Sequence, residues 1–152
     1  MGIDARLNEL GLVIPEAAKP VAAYVPAVRA GSLIFVSGQL PTVKGELKWK
    51  GMVGQDLDIS AAYEAARICA LNCLAAIKTV EPNLDKIKRI VKLTGFVSSL
   101  PTFGDQPKVI NGASELLQLI FAEKGIHARA AVSVASLPLN AAVEVEMIVE
   151  VE

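Results

Sequence analysis

Residues Ile126–Val151, IHARAAVSVASLPLNAAVEVEMIVEV, decide how the rest of the chain is read. The run divides into two strands, about Ala128 to Ser136 and about Ala142 to Val151, around a Pro-containing turn at Leu137–Asn140. Side chains alternate across a strand, so period two assigns the faces. On the second strand Val143, Val145, Met147, Val149 and Val151 form one face, and Glu144, Glu146, Ile148 and Glu150 the other. The valine face requires a core to pack on. On the first strand Ala130, Val132 and Val134 alternate with Arg129, Ala131, Ser133 and Ala135. If the two strands pair, Arg129 and one of the glutamates are expected to flank a single pocket.

Before this pair, Gly125 stops a helix that begins near Pro107, with Val109, Ala113, Leu116, Leu117 and Ile120 as its buried stripe. Before it, IKRIVKLTGFVS (87–98) is a strand whose Gly95 marks a bulge or a close backbone approach. A first long helix spans about Ser60 to Val80 and starts at Asp58 or Ser60. Its Ala62, Ala65, Cys69, Cys73, Ala76 and Ile77 keep helical spacing and allow close approach to a sheet. Val21–Arg29 and Leu33–Ser37 form a hairpin around Ala30-Gly31-Ser32, and Glu46–Lys50 is a further short strand after the Lys44-Gly45 turn. At the N-terminus Asp4 is expected to cap a short helix, Ala5–Leu10, stopped by Gly11. The order defines an α+β domain with one mixed sheet and two helices on one face. The other face is left bare, which points to a homo-oligomer.

The bulk composition narrows the function. The chain has 152 residues, enough for one domain with a real core, and is 53% hydrophobic with 20% charged residues. A mean hydropathy of +0.46 is apolar for this size and is consistent with a subunit interface. The net charge is −1 and no basic block stands out, so nucleic acid is not the expected partner. No apolar run is long enough to span a membrane, and MGIDARLNEL lacks the apolar segment of a secretory signal, so a cytoplasmic location is expected. Cys69 and Cys73 are expected as small buried hydrophobes. A zinc site needs about four ligands, and His127 is the only other soft one.

Few residues are placed to carry chemistry. Arg129 is a candidate bidentate clamp for a carboxylate or phosphate. Glu146 is a candidate for orienting a water or moving a proton. Tyr24 and the Ser37-Gly38-Gln39 corner offer a hydroxyl and an open backbone N–H. Ser37 is not read as a nucleophile, because it has no G-x-S-x-G context and the one histidine lies far along the chain. Asn111 is a candidate polar anchor. His127 is read as a surface or hinge residue and Trp49 as a packing residue. The glycines form neither G-x-G-x-x-G nor a P-loop.

Three stretches resemble the reactive intermediate deaminases, the RidA or YjgF-like family also labelled endoribonuclease L-PSP. They are GSLIFVSGQLP (31–41), ARAAVSVASLP (128–138) and AVEVEMIV (142–149); Asn72 and Asn111 also fall where the family tends to have asparagine. The resemblance covers roughly residues 21–151 and divides the chain into an N-terminal extension, 1–20, and a RidA/YjgF-like domain, 21–152. It implies a chorismate-mutase-like fold, a homotrimer with clefts between subunits, and hydrolysis of 2-imino or enamine acids to 2-keto acids and ammonia with no metal or cofactor. By motif, Arg129 is expected to bind the substrate carboxylate and Glu146 to position the attacking water. Tyr24, Ser37 and the Gly38 backbone are expected to line the pocket, with Asn111 helping from a neighbouring chain.

The chain departs from the family pattern in three places. The common cysteine two residues after the arginine is Ala131, which keeps the backbone N–H. The family's PYSQA is Ala23-Tyr24-Val25-Pro26-Ala27 here, and the proline before the Ala-Arg pair is His127. These changes on the pocket wall leave an imine deaminase and a non-enzymatic trimer that binds small carboxylates to weigh; the family label adds a ribonuclease, which the near-neutral charge and the lack of a basic groove disfavour.

Overall fold

The computed structural model describes residues 1–19 and 23–152. Its centre is a five-stranded mixed sheet. Strands β1 (Ala27–Ala30) and β2 (Leu33–Gln39) form the expected hairpin, with Gly31 at φ +63° supplying the left-handed backbone its turn requires. Of the extended segment expected at 21–29, Val21 and Ala22 lie outside the described residues, as does the Pro20–Val21 boundary proposed for the domain. Strands β3 (Thr42–Val43) and β4 (Glu46–Leu47) make a separate small hairpin. Lys44 and Gly45 between them are both at positive φ, 52° and 79°, as a two-residue type I′ turn demands. The fourth strand is shorter than expected; beyond it, Lys50 makes only an isolated bridge to Ala141.

Helix α2 (Ile59–Lys78) starts at Asp58, whose carboxylate accepts from the Ala61 N–H at 2.8 Å. Strand β5 occupies Ile87–Ser98 as expected, and helix α3 (Gln106–Phe121) follows with Pro107 in its first turn. A 3₁₀ turn over Ala122–Gly125 leads into β6 (Ala128–Val134), and β7 (Val143–Val151) ends the fold. The N-terminal helix α1 (Ile3–Glu9) packs on α3, and its Leu7 is buried with the core. Asp4 does not cap α1. Gly2 is at the cap position, and the free Ile3 N–H donates instead to Asp85 at 2.7 Å, so a distant side chain satisfies the helix end.

The strand order is β1-β2-β7-β5-β6. All neighbours are antiparallel except β5 and β6, which run parallel because α3 crosses between them. The last two strands therefore do not pair. β5 lies between them, and β6 is a sheet edge. Helices α2 and α3 cover one face, α2 over β2 and β7 and α3 over β5 and β6. Val143, Val145, Met147, Val149 and Val151 are buried beneath them, as period two requires. On the other face Val28, Phe35 and Val132 are exposed.

The alanine-rich side of α2 permits very close packing. Cys69 Sγ and Cys73 Sγ lie 3.7 and 3.4 Å from the carbonyls of Val143 and Val145, donating weakly into the sheet. Both thiols are free and fully buried, and burial pushes their ionisation upward. The folded protein is thus expected to give no reaction with a thiol reagent such as DTNB over minutes, and to titrate both thiols once unfolded in guanidinium. Between the helices, Gly112 of α3 faces the backbone of Tyr63, and a Cβ there would overlap the Tyr63 carbonyl oxygen. Because the obstacle is backbone, Gly112→Ala must separate α2 from α3. A loss of about 3 kcal/mol is expected, read as a lower urea midpoint.

Candidate active site divided between two regions of the sheet

The first region gathers at the corner where β2 ends. Val36 pairs with Met147 and Gln39 with Val145, so Ser37 and Gly38 together occupy the interval facing Glu146. This irregularity turns the strand and ties down the segment before β1. The Ser37 hydroxyl donates to the Val25 carbonyl at 2.6 Å, and the Ser37 N–H donates to Pro26 at 2.9 Å. Tyr24, beside that anchor, is 55% exposed. From α2, the Asn72 amide donates to the carbonyls of Leu40 and Thr42 at 2.9 and 3.0 Å and holds the chain on the far side of the corner. Tyr24, Ser37 and Gly38 are thus brought to one place by short-range hydrogen bonds.

A glutamate joins them. A Cβ on Gly38 would meet the Glu144 carboxyl at 2.8 Å, so the absence of a side chain lets Glu144 lie over the corner. Glu144 is half-buried, whereas Glu146 is exposed. Burial, and secondarily the neighbouring Glu146 charge, push the Glu144 carboxyl above its ordinary range. The glutamate that sequence reasoning favoured, Glu146, stands in register with the same corner. Period two puts both on one face and cannot rank them; the slip of register at Ser37-Gly38 distinguishes their surroundings.

The second region lies at the β6 edge. Arg129 is opposite Leu93 of β5, and Leu93 is buried on the helix-covered face. The guanidinium therefore turns toward α3. Its Nη1 donates to Asn111 Oδ1 at 2.8 Å and to Ser114 Oγ at 3.1 Å, and its Nη2 lies 3.4 Å from the Pro107 carbonyl. Asn111 and Arg129 thus meet within one chain. Ala131 is two residues on, opposite Gly95, where the close approach expected at that glycine is to Ile110. Ser114 was not singled out in the sequence. The available signal is a hydroxyl on the buried side of α3, between Ile110 and Leu117 at helical spacing.

The two regions do not share a face. Glu146 is opposite Thr94 and Glu144 opposite Phe96, on the side away from the helices, while Arg129 is on the helix side. The expectation that Arg129 and a glutamate flank one pocket of a single chain is therefore corrected. It assumed that β6 pairs with β7, but the inserted parallel β5 sets the phase of β6 so that Arg129 shares a side with Leu93. From β2 to β6 there are also three inter-strand spacings, roughly 14 Å. Each region holds complementary chemistry, a cation on one side and carboxylates with a polar corner on the other.

This mixed sheet with its helices on one side defines an α+β protein of chorismate-mutase-like architecture. Known proteins place it further. The YjgF/chorismate mutase-like family model, which also carries the endoribonuclease label, matches residues 4–151. The chain is 44% identical to Protein TCP17 of Trypanosoma cruzi over 97% of its own length and 93% of that protein. It is 30% identical to a 2-iminobutanoate/2-iminopropanoate deaminase of Dermatophagoides farinae, covering 91% of this chain and 93% of that one. The crystal structure of Atu1372 from Agrobacterium tumefaciens, a protein of unknown function, superposes with a TM-score of 0.91 at 49% identity, covering 99% of this chain and 92% of that one. The protein belongs to the YjgF/chorismate mutase-like family.

Proposed function

We propose that this protein hydrolyses reactive 2-imino or enamine acids to 2-keto acids and ammonia, in clefts formed between the subunits of a homotrimer. The observation that carries the reading is the division of the site. A small 2-imino acid has its carboxylate bonded directly to the imine carbon, so the group that binds one and the group that serves the other must lie within a few ångströms. Arg129 and the glutamates sit on opposite faces of one sheet, so a partner's corner must come to the β6 edge to complete the pocket. The exposed apolar residues of the bare face, Val28, Phe35 and Val132, give that partner a surface to pack on.

In the assembled cleft Arg129 binds the substrate carboxylate. A carboxylate at the corner, Glu144 with Glu146 beside it, orients water toward the C=N carbon. Tyr24, Ser37, Gly38 and the Ala131 backbone line the wall, and Asn111 holds the guanidinium. Water adds its hydroxyl to the imine carbon and a proton to the nitrogen, and the resulting carbinolamine expels ammonia as the C=O bond forms. The net change is one C=NH and one water to one C=O and one NH3. Free imines hydrolyse readily, so orientation of one water suffices and no cofactor is invoked.

The test is 2-keto acid release from imines generated in place by an amino-acid oxidase or a threonine dehydratase, with semicarbazide to trap free imine. Faster release with the protein present is the expected result. No acceleration across small and aromatic imino acids, with pyruvate still bound, assigns the protein instead to the carboxylate-binding class. Sedimentation velocity in the same buffer tests the trimer, and a monomer would sink the shared cleft.

A further inference from the structure

Arg129 is not held by Asn111 alone. Ser114 Oγ, buried on α3, lies 3.1 Å from Arg129 Nη1 and 2.9 Å from His127 Nε2. On the other side of the ring, His127 Nδ1 lies 2.7 Å from the Gly125 carbonyl oxygen. Donor and acceptor capacities fix the direction of this chain of contacts. A carbonyl only accepts, so Nδ1 carries the proton. In the neutral ring Nε2 is then an acceptor, and the Ser114 hydroxyl donates to it. A lone pair of that hydroxyl is thereby aimed at Arg129, whose Nη1 spends one hydrogen on it and the other on Asn111 Oδ1 at 2.8 Å.

Nη1 is thus fully used inside the protein. Nη2 has only the 3.4 Å contact to Pro107, and Nε donates to no acceptor among the described residues. The free edge of the guanidinium is therefore Nε with Nη2, a fork that matches the two oxygens of one carboxylate. The fold builds this locally. Gly125 ends the turn after α3, and Ile126 points out to solvent, so His127 and Arg129, two apart, return to the helix side of the sheet.

We propose that His127 and Ser114 are positioning residues for Arg129: the imidazole orients the Ser114 hydroxyl, and the hydroxyl with Asn111 locks Nη1 so that the Nε–Nη2 edge faces the substrate carboxylate. The last clause rests on the reading of Arg129 as a carboxylate clamp; the lock itself does not.

Two measurements separate these claims. The first is the 15N–1H spectrum of the Arg129 side chain. In wild type, slow rotation about the guanidinium is expected to give resolved Nη signals, averaged in His127→Ala and Ser114→Ala. In His127→Gln, whose Oε1 can accept the Ser114 hydroxyl, they are expected to return. An Arg129 spectrum unchanged by His127→Ala overturns the proposal whether or not any ligand binds. The second measurement is pyruvate binding by calorimetry. His127→Ala is expected to raise Kd about fivefold to twentyfold, the scale of one charge-assisted hydrogen bond losing its alignment. The rise should appear in KM more than in kcat for imine turnover, and His127→Gln should recover most of it. Unchanged Kd and KM in a folded His127→Ala protein overturn the link to substrate. Nη signals resolved in wild type and averaged in His127→Ala, with no pyruvate bound by wild type, support the lock and overturn the carboxylate reading of the free edge.

Discussion

Arg129→Ala is expected to cut kcat/KM for imine hydrolysis by about 10²–10³-fold, the scale set by losing a bidentate charge-assisted contact together with the orientation it imposes. The side chain is only partly buried and its partners are neutral, Asn111 and Ser114, so the substitution strands no opposing charge. The fold should therefore survive with a modest change in Tm, and pyruvate affinity should fall with the rate. Arg129→Lys should recover little. An ammonium keeps the charge but cannot satisfy Asn111 and Ser114 while presenting a two-hydrogen edge to a carboxylate. Steady-state keto acid release and calorimetry on the three proteins check this. Wild-type rates in Arg129→Ala would remove Arg129 from the site.

Glu144→Gln is expected to lower kcat about 10²-fold, the contribution of a positioned proton acceptor, and to make the folded protein more stable at neutral pH. The second effect follows from the direction of its pKa. Burial first, and Glu146 second, raise the Glu144 carboxyl in the folded state. For an acid with a raised folded pKa, the associated stability is fully present below the unfolded pKa. It is lost as pH rises through the folded value. Wild type and Glu144→Gln should therefore melt alike in acid, and the variant's advantage should grow toward neutral pH. Thermal melts from pH 4 to pH 8 read this directly. Glu146→Gln removes one of the two causes, so the acid limb of its kcat/KM profile should move to lower pH with most of the rate kept. A rate collapse in Glu146→Gln with Glu144→Gln unaffected would transfer the water-orienting role to Glu146. The rise in folded stability on losing a charge is the trade expected where a carboxylate is kept for function.

Gly38 links this chemistry to the backbone. The Glu144 carboxyl occupies the space a side chain at Gly38 would need, so the S-G-Q corner and the glutamate form one unit although they lie on different strands. Ser37 contributes by holding the Tyr24–Pro26 segment against the corner, since its hydroxyl proton is committed to Val25.

Much of the fold is written in local patterns. Alternation over Val143–Val151 assigns the buried face of β7 without any tertiary information, because strand geometry alone puts every second side chain on the same side. Asp58 and Pro107 mark helix starts through backbone chemistry confined to a single turn. Gly31 and Gly45 mark turns because the φ they adopt disfavours other residues. The N-terminal cap was not legible, because the oxygen that satisfies Ile3 belongs to Asp85, far along the chain.

The site divides along the same line. Arg129, Glu146, Tyr24, Ser37, Gly38 and Asn111 are visible in the sequence as residue types in motifs. Their mutual placement depends on which strands become neighbours. Strand order is decided by the crossover of α3 and by how the helices pack, neither of which leaves a mark within either final strand. The insertion of β5 between β6 and β7 turned Arg129 toward α3 and left the glutamates on the opposite face. Local patterning is enough for the main helices and strands, the buried face of β7 and most residue types of the candidate site, though not for Ser114 or for the Asp85 contact that caps α1. The division of those candidates between two faces comes from strand pairing, because phase across a sheet is a property of pairing and not of any one strand.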